Sequence, residues 1–334
     1  MSGRNGNSHV LDPAKAVVTG AAGFIGSHLC ERLLAQGTHV VGIDSFTDHY
    51  ATQLKLQNVA ALDGQPNFEL RESDIAEADL AGAFAGADVV FHLAARPGVG
   101  DSWENFQEYV DSNVVGTKMV FETAAKSGSR VVYASSSSVY GYAPELPATE
   151  SSPLNPISPY AASKVMTEAL ANVFTSSLDL DAIGLRYFSV YGPRQRPDMA
   201  ITRFIRAIEE GNEVTVYGDG LQRRDMTFVG DVVEGTLQTA LHGRTGTVYN
   251  IASGRPVALI DILEELGEVM GTAVNLTRVE ERLGDVRATW GDVERAATEL
   301  GYAPRTGLRE GLAAQAEAAR RPVLVSAHQE ALDV

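Results

Sequence analysis

Short apolar runs recur along this chain, each followed by a longer stretch in which apolar residues return every three or four positions. Residues 16–19, Ala-Val-Val-Thr, form the first run. Gly20-Ala-Ala-Gly23-Phe-Ile-Gly26 then opens a helix in which Ile25, Leu29 and Leu33 share one face until Gly37. Further strands are predicted at 39–43, 68–70, 89–93, 131–134 and 182–185, with helices between them that include 106–125 and 159–174. Such alternation predicts an α/β fold, a Rossmann-type doubly wound parallel sheet. Ligands of such sheets bind beyond the carboxyl ends of the strands, where Gly20 to Gly26, Asp74-Ile75, Ala94-Ala95-Arg96 and Ser135 to Ser138 all fall.

After Tyr187 the pattern loosens into Gly192-Pro-Arg194-Gln-Arg196-Pro197, a loop too stiff and too basic for a simple link. A helix at 202–209, a strand at 214–217 and the turn Gly218-Asp-Gly220 lead to Arg223-Arg224-Asp225. A helix at 232–241 and a strand at 248–251 return to the sheet, and the remainder is helical with short strands and carries Arg282-Leu-Gly-Asp285. The expected organisation is a flexible tail at 1–15, a large domain at 16–186 plus 226–255, a smaller discontinuous α/β lobe at 187–225 plus 256–320, and a tail at 321–334. Such a lobe closes the crevice at the strand ends.

Composition narrows the ligands. A formal net charge of -16 repels nucleic acid and anionic membranes, so an anionic small molecule needs a local cluster of arginines. Cys30 is the only cysteine, which excludes an intramolecular disulfide, and it falls on the apolar side of the first helix. No apolar run approaches the length of a membrane span and no charged, apolar leader precedes the fold, so the cytoplasm is the expected location. No metal-ligand spacing is present, and His92 at a strand end reads as a packed, hydrogen-bonded residue.

The candidate chemistry begins at the glycine loop. Its first glycine permits a tight turn, its second lets a pyrophosphate approach the amides of the helix start, and its third permits close helix packing. Asp44 closes the next strand, where a carboxylate takes both ribose hydroxyls of an adenosine and repels a 2'-phosphate; NAD is therefore expected rather than NADP. Asp74 suits either an adenine amino group or the cap of the turn that follows. Tyr160 and Lys164 stand four residues apart on one helical face, where the ammonium is expected to stabilise the phenolate and make it a base. A tyrosine base beside a dinucleotide implies hydride transfer, with a serine of the run 135–138 relaying the proton or holding the reacting oxygen.

Five ordered motifs carry a resemblance. Thr19-Gly-Ala-Ala-Gly-Phe-Ile-Gly26, Tyr133-Ala-Ser-Ser-Ser-Ser-Val-Tyr-Gly141, Tyr160-Ala-Ala-Ser-Lys164, Arg186-Tyr-Phe-Ser-Val-Tyr-Gly-Pro193 and Gly218-Asp-Gly-Leu-Gln-Arg-Arg-Asp225 together resemble the extended short-chain dehydrogenase/reductases that act on nucleotide sugars. The resemblance implies a tightly held NAD that oxidises the sugar at C4 and returns the hydride to the other face of a rotated 4-keto intermediate. It implies catalytic Tyr160, Lys164 and Ser136, and cofactor contacts from Gly20, Gly23, Phe24, Ile25, Gly26, Asp44, Asp74, Ile75, Leu93, Ala94, Ala95, Tyr160 and Lys164.

Ser137 and Ser138 stand where related dehydratases and decarboxylases are expected to carry acids. With Ser189 and Arg196-Pro-Asp-Met, the chain is most similar to the UDP-glucuronate 4-epimerases, in which these hydroxyls and the arginine surround the substrate carboxylate. Oxidation of glucuronate at C4 gives a β-keto acid, and donors that hold its carboxylate out of line with the ketone suppress loss of carbon dioxide. The resemblance also implies Arg224 and Arg282 on the diphosphate and Tyr217 near the uridine. Gly100 departs from it, since an arginine is expected after Pro97-Gly-Val. A UDP-glucose/UDP-galactose 4-epimerase uses the same Tyr160, Lys164 and Ser136, and a catalytically silent NAD-binding regulator stands as a different class. Related proteins pair the helices at 106–125 and 159–174 across a homodimer, so a homodimer is expected.

Overall fold

A computed structural model describes residues 14–280 and 286–320. Along the chain run β1 (Lys15–Thr19), α1 (Phe24–Leu34), β2 (His39–Asp44), α2 (Thr52–Ala60), β3 (Phe68–Glu72), α3 (Leu80–Phe84), β4 (Val89–His92), α4 (Phe106–Tyr109), α5 (Thr117–Ser127), β5 (Arg130–Ser136) and α6 (Pro159–Leu178). Then come β6 (Ala182–Tyr187), β7 (Ser189–Tyr191), α7 (Ala200–Glu209), β8 (Val214–Tyr217), β9 (Arg223–Phe228), α8 (Val229–His242), β10 (Val248–Ile251), β11 (Pro256–Ala258), α9 (Leu259–Met270), β12 (Leu276–Val279), α10 (Glu294–Leu300) and α11 (Leu308–Ala319).

Seven of the strands form one parallel sheet in the order β10-β6-β5-β4-β1-β2-β3. The order reverses between β1 and β4, which opens the crevice that binds ligands in doubly wound sheets. Strands buried on both faces read as continuous apolar runs, and Ala16, Val17 and Val18 are each fully buried. One core packs α1 and α8 against the sheet through Leu29, Leu33, Val232 and Leu237. Another packs α5 and α6 against the opposite face through Val120, Phe121, Ala171 and Phe174.

A separate core joins Ile201, Ile205, Val214, Ile262, Leu266 and Leu312 around two small sheets, β11-β9-β7 and β12-β8. The expected division needs correction at one point. Ala296, Leu300 and Tyr302 belong to the core under the large sheet, not to the smaller lobe, because α10 packs on α8 and β10. Lys15 likewise belongs to β1 rather than to a tail, with its amide donating to Asp88 Oδ2 at 3.1 Å.

The helix expected at 106–125 is α4 and α5 joined by a π-helical turn, Val110–Gly116. Such turns arise at functional sites inside otherwise regular helices. Helix α6 has its start fixed by Ser158, whose side chain accepts the Ala161 amide at 3.1 Å, and by Pro159 in the first turn. Its buried face carries Ser163, Lys164, Thr167 and Glu168 besides apolar residues, so polar groups are committed to the interior one turn after another.

Candidate active site

The glycine loop is built for close approach. Gly20 adopts φ +72°, and a Cβ there would lie 2.8 Å from the Ala94 amide nitrogen; a Cβ on Gly26 would lie 2.0 Å from the Gly20 carbonyl oxygen. Gly23 caps α1 with no side chain, so the first-turn amides that begin with Phe24 and Ile25 have no capping group. Positive backbone ends of this kind attract phosphate. Asp44 is buried at the end of β2, and its carboxylate accepts the Ala22 amide at 3.0 Å and the Phe46 amide at 2.9 Å. Two of its four lone-pair positions are thereby committed to the loop, and two remain for ribose hydroxyls. These residues fit a dinucleotide, and the acid at the strand end fits an unphosphorylated ribose.

The other wall follows β4. The Leu93 amide donates to the Thr19 carbonyl at 3.2 Å and the Ala94 amide to Thr19 Oγ1 at 3.2 Å, while Ala95 is half-buried beside them. Beneath lies His92, with Nδ1 2.8 Å from Thr19 Oγ1 and Nε2 2.9 Å from Thr117 Oγ1. Because the Thr117 hydroxyl donates to the Asn113 carbonyl at 2.6 Å, it accepts from His92 Nε2–H. Burial, with Lys164 nearby, pushes the His92 pKa down to about 3, so the ring is neutral. Asp74 is exposed and its Oδ1 accepts the Ala76 amide at 2.8 Å, capping the turn that follows; Ile75 packs beside Gly116.

Tyr160 opens α6 with its hydroxyl near Ser136, and its ring packs edge-to-face with Tyr109, the ring centroids 6.2 Å apart. Burial raises the Tyr160 pKa; the Ser136 bond and then the Arg196 charge oppose it. The expected lowering of this pKa by Lys164 is not what the geometry gives. Lys164 is buried, its ammonium donates to the Ala134 carbonyl of β5 at 2.9 Å, and desolvation lowers its own pKa to about 8. Ser136 Oγ in turn accepts from the Ser138 amide at 3.2 Å and the Ser138 hydroxyl at 2.9 Å.

The four serines do not act as one loop. Ser135 and Ser136 lie within β5, so their side chains point to opposite faces. Ser135 Oγ donates to Glu168 Oε1 at 2.5 Å on the far side, while Ser137 and Ser138 turn over the crevice in a short 3-10 helix. Asn113, which the sequence reading did not single out, is buried in the π-helical turn. Its side chain accepts the Arg96 amide at 2.7 Å and donates to the Arg96 carbonyl and to Ser163 Oγ, each at 3.0 Å. It therefore fixes the loop after β4 to the helix that carries Tyr160.

On the substrate side, Arg196 binds Asp198 through Nε at 3.0 Å and Nη2 at 2.9 Å, which leaves three of its five N–H groups for other acceptors. Ser189 is half-buried in β7. Arg194 instead pairs with Glu31 on α1 and donates to Ser27 Oγ at 3.3 Å. Arg96 cannot replace the arginine missing at Gly100, because its guanidinium is held by Asp101 and Glu108 and lies over the Tyr109 ring. Tyr217 ends β8, and Arg224 in β9 donates from Nη1 to the Arg223 carbonyl at 2.9 Å. The next residue, Asp225, is fully buried and accepts from Ser253 and from the Gly254 and Gly291 amides, which fixes this strand to two loops. Arg282 lies outside the described residues.

The comparisons agree with this geometry. The chain is 38% identical over 304 residues to an uncharacterised UDP-glucose epimerase, YtcB, of Bacillus subtilis (strain 168), covering 89% of this chain and 95% of the relative. It is 37% identical over 303 residues to the UDP-glucuronate 4-epimerase of Thermodesulfobacterium geofontis (strain OPF15), covering 89% of this chain and 93% of the relative. The crystal structure of UDP-glucuronic acid 4-epimerase from Bacillus cereus, in complex with UDP-glucuronic acid and NAD, superposes with a TM-score of 0.88 at 37% identity, covering 92% of this chain and 99% of that one. The family profile described as NAD dependent epimerase/dehydratase matches residues 16–252, which contain the glycine loop, Asp44, the serine strand and the Tyr160–Lys164 pair. With that match over most of its length, the chain belongs to the NAD dependent epimerase/dehydratase family.

Proposed function

We propose that this enzyme interconverts UDP-glucuronate and UDP-galacturonate by NAD-dependent epimerisation at C4, without loss of the carboxyl group. The observation that carries the reading is Arg196, whose Nε edge is taken by Asp198 while its terminal edge is left for a carboxylate, set within electrostatic reach of Tyr160. NAD, when bound, supplies the hydride acceptor and donor. Tyr160 takes the C4 hydroxyl proton and later returns it, Ser136 holds the same oxygen, and Lys164 contributes positive charge and a bond to the cofactor ribose. Ser137, Ser138, Ser189 and Arg196 hold the sugar carboxylate; Arg224 and Arg282 hold the diphosphate, with Tyr217 at the uridine.

Asp198 supports the role of Arg196. By taking the Nε edge it leaves the terminal Nη1/Nη2 edge for a second bidentate carboxylate contact. The neutral-sugar reading, UDP-glucose/UDP-galactose 4-epimerase, is favoured by one specific feature, Gly100 in place of the expected arginine.

Proton NMR of the protein incubated separately with UDP-glucuronate and UDP-glucose, without added reductant, tests the proposal. Selective formation of UDP-galacturonate with little UDP-pentose is expected; turnover of UDP-glucose alone transfers the activity to the neutral sugar. The proposal includes a cytoplasmic homodimer paired through α4, α5, the π-helical turn between them and α6; Val115 of that turn and Met166, Val173 and Leu178 of α6 are exposed apolar residues. A monomeric mass by light scattering overturns the dimer.

A further inference from the structure

The geometry points to Glu168 as a positioning residue for the reaction proposed above: one buried carboxylate fixes α6, β5 and β6 together, and with them Lys164, Ser136 and the strand that leads to Ser189. Glu168 is 6% exposed and Arg186 3% exposed. Arg186 donates to Glu168 from Nε at 2.9 Å and from Nη2 at 2.7 Å, and the Ser135 hydroxyl donates at 2.5 Å. The two donor residues come from different strands: β5 carries Ser136 immediately after Ser135, and β6 runs on into β7, which begins at Ser189. The arginine continues the network, with Nη1 donating to the Tyr140 hydroxyl at 2.9 Å and to the Glu150 carbonyl at 3.1 Å. Tyr140 then donates to Asn250 Oδ1 at 2.7 Å, which reaches β10 at the sheet edge.

Glu168 also stands one helical turn beyond Lys164 on the same buried face. The charged groups around Lys164 are Glu168 on its own helix and, through that carboxylate, Arg186 on β6; Tyr160 lies a turn earlier, and His92 on β4 is neutral. Desolvation disfavours the ammonium, and the negative charge of Glu168 opposes it. A buried ion pair of solely structural value would be replaceable by apolar packing with no effect on the proton affinity of its neighbour. This carboxylate stands one helical turn from the lysine that the reaction uses and its charge acts on that ammonium, so its removal reads out on Lys164.

Lys164 is one of only five lysines, so NMR of full-length, NAD-bound protein labelled at the lysine ε-carbons resolves its titration, assigned by loss of the signal in Lys164→Met. In Glu168→Gln the Lys164 midpoint is expected to fall by about half a pH unit or more, with the alkaline limb of the kcat profile moving down with it. An unchanged midpoint, with kcat reduced by the same factor at every pH, overturns the inference. If Glu168→Gln does not fold, Glu168→Asp carries the test. It keeps the charge and withdraws the carboxylate by one methylene, and the expected result is kcat down about tenfold with KM and the Lys164 midpoint retained; wild-type kcat overturns the inference. A wild-type protein inactive on UDP-sugars defeats the function proposed above and leaves the lysine titration to decide this one.

Discussion

The Lys164 ammonium donates to the Ala134 carbonyl at 2.9 Å, two residues before Ser136 on the same strand. A charge held on β5 in this way is lost when the amine deprotonates, and burial brings that event down to about pH 8. The group is charged below that pH and neutral above it, so epimerase kcat is expected to fall as pH rises through about 8. In Lys164→Arg the guanidinium keeps its charge, and the remaining activity is expected to lack that limb. A pH profile of kcat for both proteins checks this.

Tyr160→Phe removes the hydroxyl near Ser136 and leaves the ring contact with Tyr109. The expected loss of kcat is on the order of 10²- to 10⁴-fold, the usual share of a general base, with NAD content unchanged. Activity within tenfold of wild type assigns proton transfer to another group.

Asp44 serves the loop and the ribose with one carboxylate. Asp44→Ala deletes its bonds to the Ala22 and Phe46 amides as well as the acceptor for the hydroxyls. Charged hydrogen bonds contribute roughly 1.5–3 kcal/mol each, so NAD affinity is expected to drop by roughly 10- to 100-fold or more. Discrimination against NADP is expected to shrink as well. Calorimetric titration with both dinucleotides reads the two effects.

Arg196→Ala is expected to raise KM for UDP-glucuronate at least tenfold, as fits loss of a charge-assisted bidentate contact, and to leave UDP-glucose kinetics within about twofold. Equal effects on both sugars assign Arg196 to the nucleotide or to the loop instead.

How much of this was legible in the sequence follows from what each residue packs against. The β1-α1-β2 unit was readable because strands buried on both faces must be apolar without interruption, and because a glycine pair in van der Waals contact admits no other residue. Asp44 was readable from its place at a strand end. The division of the serines was less so. Extending β5 by two residues puts Ser135 and Ser136 on opposite faces, but a run of four serines carries no apolar contrast to mark where the strand stops.

Glu168 and Asn113 escaped notice for a different reason. A glutamate one turn after a lysine is the usual pattern of a solvated helix face, and only the burial of both reveals that the face points inward. Its partner Arg186 is 18 residues away on strand β6, so nothing local signals the pair. The placement of α10 under the large sheet was hidden similarly, since a chain that leaves a sheet and returns shows no mark of return beyond ordinary amphipathic spacing.

The π-helical turn at Val110–Gly116 holds about one residue more than regular winding needs over the same span. Removing one residue from it, Ser112 for example, would let the segment relax to α-helical winding and leave α5 near its present rotation, with Val120, Phe121 and Ala124 still on the face they fill. The same deletion inside α5 has no such slack. It would rotate everything that follows by about 100° around the helix axis and carry those side chains off the core, so a single-codon deletion is tolerated far better in the turn than one helical turn later.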